Sequence, residues 1–96
     1  MPAIQVSHSA DASLVHIAGR FDFRCVKAFN AVLERKSPHW VVDMAEVEFV
    51  DSAALGLLLM LREHAGNGTV RLRGIKGQPR EVVFMAKFDR LFALED

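Results

Sequence analysis

The side chains that could do chemistry gather at one step of the chain, Asp51-Ser52, with a second carboxylate at Asp22. A hydroxyl beside a carboxylate is raw material for nucleophilic catalysis, and two carboxylates are raw material for acid–base work or a metal site. The rest of the sequence completes neither. A Ser-His-Asp triad can be assembled on paper from Ser52, a histidine and Asp22, but no Gly-x-Ser-x-Gly turn surrounds the serine. No third ligand stands at metal-site spacing from the aspartates. His8, His16, His39 and His64 are scattered and read as structural or solvated. Cys25 lacks a CxxC partner or an obvious base, which fits a buried small apolar residue. Neither Gly-x-Gly-x-x-Gly nor a P-loop is present, so nucleotide binding has no motif. On residue types alone, Ser52 and Asp51 read as helix caps and Asp22 as a solvated turn residue.

The element that must position this step runs from Trp40 to Ala65. Val41-Val42 reads as a short buried strand, and Val47, Phe49 and Val50 lead into Asp51. From Ala53 onward Ala54, Leu58, Leu61 and Ala65 recur at the spacing of one helical face, so a helix is expected with Gly66 as its stop. Leu57, Ala54, Leu61 and Leu58 centre its buried arc, with Leu55 and Leu59 on one flank. The opposite stripe, Ala53, Gly56, Met60 and Glu63, has no strong reason to be buried and leaves room for another protein to approach. Gly56 in mid-helix costs about 1 kcal/mol relative to Ala, which invites a reason for it.

The remaining segments alternate between the two periodicities. Ile4 and Val6 suggest an opening strand, Ser9 to Asp11 a polar turn, and Ser13 to Ile17 a second strand closed by Gly19. A helix is expected from about Arg24 to Arg35, burying Val26, Phe29 and Val32-Leu33 while Lys27, Asn30 and Glu34 stay wet. After Pro38 a third strand spans His39 to Asp43. Gly66-Asn67-Gly68 is a turn, Val70 and Leu72 alternate with Arg71 and Arg73 in a further strand, and Gly74 to Gly77 is loop. Pro79 suits the first residue of a helix to about Lys87, after which Phe88, Leu91, Phe92 and Leu94 cover an edge of the core. This is one α/β domain over residues 1–96, with a mixed β-sheet of four to five strands and three to four helices.

Composition narrows the function classes. Apolar residues make up 51% of the 96 and charged residues 25%, the profile of an ordinary soluble globular protein. Twelve cations balance twelve carboxylates, so no footprint for nucleic acid is visible. A single cysteine rules out an internal disulfide and fits a reducing compartment. No signal peptide is apparent, and the longest apolar run, Leu57 to Leu61, is too short to span a bilayer. A cytoplasmic protein with no direct membrane insertion is expected.

Strand, Asp51-Ser52-Ala53-Ala54-Leu55-Gly56 and the leucine helix, in that order, resemble the signature of the STAS domain. The anti-sigma factor antagonists are the class it looks most like. Gly19-Arg20-Phe21-Asp22 resembles the family's Gly-x-apolar-Asp loop, and Phe88-Asp89-Arg90-Leu91-Phe92 its ending, so the likeness covers nearly the whole chain. The resemblance implies a STAS-type fold and a regulatory module that is a substrate, not an enzyme, and uses no cofactor. It implies that Ser52 is phosphorylated by a GHKL-type serine kinase that also acts as anti-sigma factor. It implies further that phosphorylation releases that kinase and that a PP2C-type phosphatase restores binding. Asp22, Asp51, Leu55 and Gly56 match family positions at the phosphorylation and kinase-binding surface, and Ala53 and Met60 extend that surface along the exposed stripe. Ala53 and Ala54 stand where the family often has a second Ser and a Gly; they remove an alternative acceptor and stiffen the first turn. The same family also supplies non-switching subunits of transporter complexes and signalling scaffolds, the alternative reading.

Overall fold

The computed structural model describes residues 3–9 and 11–95. In chain order these form β1 (Ala3–His8), β2 (Ala12–Phe21), α1 (Val26–Val32), β3 (His39–Val50) and α2 (Ser52–Ala65). They continue as β4 (Thr69–Arg73), α3 (Gly77–Met85) and β5 (Ala93–Glu95). One-turn 3-10 segments precede α1 at Phe23–Cys25 and β5 at Phe88–Arg90. The strands lie in a single sheet in the order of the chain. β1 and β2 pair antiparallel through a short turn, and every later pair is parallel. Parallel neighbours need a crossover, which is what α1, α2 and α3 supply. Right-handed crossovers that step the same way across a sheet put their helices on one face.

Burial agrees with that arrangement. Val15, Ile17, Trp40, Val42, Met44, Val70 and Leu72 point into the helical layer and are buried. Their alternates Leu14, His16, Val41 and Asp43 are only partly buried, and Arg71 is exposed. α2 delivers the expected arc, Ala54, Leu57, Leu58 and Leu61, with Leu55 half-buried and Leu59 exposed on the flank. Phe29 of α1 stacks on Phe21 with ring centroids 5.7 Å apart, closing the core beneath the start of α2. Among the described residues no helix is long and apolar enough to cross a membrane.

Several boundaries differ from the sequence expectation. β3 does not stop at Asp43 but continues to Val50, because β2 keeps pairing with it well past the end of β4. β2 likewise runs through Gly19 to Phe21; Gly19 takes φ +81° beside a register irregularity, a bulge conformation that suits a residue without Cβ. The helix expected over Arg24–Arg35 is a 3-10 turn followed by only seven α-helical residues. That tighter start rotates Cys25 inward and leaves Val26 39% exposed. α3 begins at Gly77, so Pro79 is its third residue, and it ends at Met85 because Lys87 adopts a left-handed φ of +61°. Phe88 and Phe92 pack into the core with ring centroids 5.3 Å apart, whereas Leu91 stays 39% exposed. Ala10, inside the expected Ser9–Asp11 turn, lies outside the described residues, as do Met1, Pro2 and Asp96 of the expected domain.

Candidate functional site

Phe21 and Val50 are register partners, so β2 and β3 end side by side and each is followed by an aspartate. Asp51 leaves β3 in an extended conformation, and its Oδ1 accepts the Ala54 N–H at 3.0 Å, capping α2. Its Oδ2 accepts the Phe23 N–H at 3.3 Å, tying the loop after β2 to the first turn of the helix. A cap of this kind contributes about 1 kcal/mol. With Asp51 in the capping role, Ser52 becomes the first helical residue. Its side chain is exposed, and its hydroxyl makes no hydrogen bond among the described residues. The reading of Ser52 as a structural cap is thereby corrected.

Asp22 is not a solvated turn residue either. It is 4% exposed, and its Oδ1 caps the 3-10 turn by accepting the Arg24 N–H at 3.0 Å. Arg24 folds back over the same carboxylate, donating from Nε at 3.2 Å and from Nη2 at 2.9 Å. Arg20 Nε stands 3.6 Å from the same Oδ2 that Arg24 Nη2 reaches. The Arg24 hydrogen bond holds the Asp22 carboxyl below its ordinary pKa, outweighing the opposing effect of burial. Arg20 also lies over the Phe49 ring at 4.1 Å, a cation–π contact between β2 and β3. Asp22 is thus a locked ion pair under the loop, within reach of a partner only through the arginines that cover it.

Along α2 the expected open stripe is present. Ala53 is half-buried, while Gly56 and Glu63 are exposed and Met60 is 47% exposed. A Cβ added at Gly56 would meet nothing within 4 Å, so nothing in the chain's own packing requires glycine there. Leu55 is half-buried and belongs partly to the core. Asp51, Ser52 and the Asp22 loop therefore meet at one end of the sheet, with the stripe running away from them.

Residue patterns did not foretell three participants. Gln78, from the first turn of α3, pairs with both backbone groups of Val50: its Oε1 accepts the Val50 N–H at 2.9 Å and its Nε2 donates to the Val50 carbonyl at 3.0 Å. It replaces the strand partner that β4 is too short to provide, and so fixes where Asp51 emerges. Phe23, 67% exposed, sits on the loop between the two aspartates. Arg24, two residues from Asp22, is the one a local charge pairing could have suggested.

The other reactive types are occupied elsewhere. His16 Nδ1 lies 3.2 Å from Asp43 and its Nε2 2.8 Å from Glu46, on the face of the sheet away from the helices. His8, His39 and His64 hydrogen-bond Ser13, Thr69 and the Arg35 carbonyl respectively. Among the described residues no group of three His, Cys, Asp or Glu could hold a metal ion. Cys25 is buried, as expected, and that burial pushes its thiol above the ordinary pKa, away from nucleophilic use.

Comparison with known proteins adds to this geometry. The STAS-domain containing protein PA14_20770 of Pseudomonas aeruginosa is 35% identical over 99 residues, covering 96% of this chain and 98% of its own. An anti-sigma factor antagonist from Mycobacterium paratuberculosis superposes with a TM-score of 0.86 at 23% identity, covering 99% of this chain and 86% of that one. The Bacillus cell fate determinant SpoIIAA in its phosphorylated form gives 0.77 at 16% identity, with 96% and 90% covered. A sulfate transporter family protein from Wolinella succinogenes gives 0.79 at 15% identity, with 94% and 80% covered. At such identities the three structures establish a shared fold. The profile of the family described as "Mlab, STAS domain" matches residues 4–95, and the chain belongs to that STAS domain family.

Proposed function

We propose that the protein is an anti-sigma factor antagonist in a partner-switching circuit, with Ser52 as its phosphoacceptor. The unphosphorylated form binds a GHKL-type serine kinase that doubles as anti-sigma factor, phosphorylation of Ser52 releases it, and a PP2C-type phosphatase restores binding. The protein is a substrate rather than an enzyme, and it works in the cytoplasm with those partners.

The observation that carries the reading is the division of labour at the start of α2. Asp51 caps the helix, which leaves the Ser52 hydroxyl exposed and uncommitted. A phosphate there adds about −1.5 to −2 charges beside helix N–H groups that favour anions, so the fold can accept it. The solved fold relatives include SpoIIAA in a phosphorylated form, which agrees with this reading. The test is to incubate wild type and Ser52→Ala with purified GHKL-type kinases from the source genome and ATP. Label should enter the wild type alone; equal labelling of both proteins rejects Ser52 as the acceptor.

The likeness to a sulfate transporter family protein favours a second reading, a non-switching STAS subunit of a transporter complex or scaffold. Intact-mass measurement of the protein from its own cells separates the two. A phosphate mapped to Ser52 supports the switch, and an unmodified chain held in a stable membrane complex supports the subunit.

A further inference from the structure

Resting on the Ser52 switch proposed above, we infer that Phe23 is the apolar anchor of the docking surface and enters an apolar pocket of the partner rimmed by carboxylates. Phe23 is 67% exposed, and among the described large apolar residues only Met85, at 83%, is more so. The loop that carries it is held on both sides. Its own N–H donates to Asp51, and Asp22 caps the turn through Arg24 and accepts the Cys25 N–H at 2.9 Å through its carbonyl. An aromatic ring presented from an ordered loop loses little conformational freedom on docking, which is why such rings serve as interface anchors. The carboxylate that receives the Phe23 N–H also caps α2, so ring and Ser52 flank one residue, Asp51.

Charge around the ring indicates the partner's chemistry. Asp22 is buried, and Asp51 is partly buried with both oxygens accepting backbone N–H groups. The Arg20 and Arg24 side chains that cover Asp22 are 54% and 47% exposed. At this corner carboxylates face inward and guanidinium groups outward. Carboxylates around an apolar pocket complement such a surface. Phosphate on Ser52 would then bring about −1.5 to −2 charges against that acidic rim, a direct electrostatic cause for release.

The experiment measures affinity for the purified, nucleotide-bound kinase that labels Ser52, using wild type, Phe23→Ala, Phe23→Leu, Ser52→Asp and Met85→Ala. Phe23→Ala and Ser52→Asp should each weaken binding by about tenfold or more, Phe23→Leu by less, and Met85→Ala not at all. None should melt below the wild type, since none of these side chains is buried. Wild-type affinity should fall as salt rises from about 50 to about 300 mM. Tight binding by Phe23→Ala while Ser52→Asp releases the kinase overturns the anchor and leaves the switch standing. Tight binding by Ser52→Asp removes the switch and the anchor with it, and affinity indifferent to salt overturns the acidic rim.

Discussion

The turn after β2 and the turn after β3 start from the same device and end in different states. Each strand closes on a buried apolar residue, Phe21 or Val50, and those two are register partners. Each is followed by an aspartate that caps a helix, and then by an exposed residue, Phe23 or Ser52. Asp22 caps a single 3-10 turn and is sealed by Arg24. Asp51 caps a fourteen-residue helix and uses its second oxygen to hold the neighbouring turn. The contrast shows that a cap can either consume local charge to fix a loop or leave the next hydroxyl exposed and unbonded, according to what surrounds the carboxylate.

Removing the cap that serves both turns gives the largest expected loss of stability. Asp51→Ala should destabilise by about 1–2 kcal/mol in a urea melt, because the α2 cap and the bond to the Phe23 N–H go together. A loss well below that would mean Ser52 can step back into the capping role, which erases the difference between the turns.

On the partner side, Gly56→Asp should weaken kinase binding at least tenfold, about 1.4 kcal/mol, by placing a carboxylate on the open stripe. The new side chain has free space around it, so the thermal melt should barely move. Unchanged affinity in a folded variant shifts the interface onto the Asp22 loop.

Smaller effects are expected at Ser52 itself. Ser52→Asp should gain about 0.3–1 kcal/mol from a carboxylate in the first turn. Ser52→Ala should stay within about 0.5 kcal/mol of wild type, since it removes no hydrogen bond the structure contains. A urea melt in which Ser52→Ala is destabilised as much as Asp51→Ala contradicts the assignment of the cap.

Asp22 should reveal itself in acid. Its folded pKa lies below the unfolded value, so its stabilising contribution is complete above the unfolded pKa of about 3.9 and fades as pH falls through the folded value. Between pH 8 and about 5 it adds no slope to the stability profile. Below about pH 4 the wild type should lose stability more steeply than Asp22→Asn; parallel acid profiles would mean the Arg24 pair is not kept in solution.

What the chain dictates by itself is whatever depends on neighbours a few residues apart. The helix Ser52–Ala65 was legible at both ends and around its circumference, because capping types, the Gly66 stop and the Leu57–Leu61 arc all act within a turn or two. The strand-and-helix alternation was legible for the same reason, and the open stripe at Gly56 and Met60 followed from what the arc leaves out. Tertiary structure alone decided the rest. The polar residues Glu46 and Glu48 interrupt the apolar pattern of β3, which runs to Val50 only because β2 pairs with it throughout. Asp51 rather than Ser52 became the cap where Phe23, from a loop 28 residues earlier, offered its N–H to the same carboxylate. The end of β3 was fixed by Gln78, 28 residues further on. Local periodicity carries no information about such partners, because these hydrogen bonds join backbone and side-chain groups that only the folded topology brings within 3 Å or so of each other.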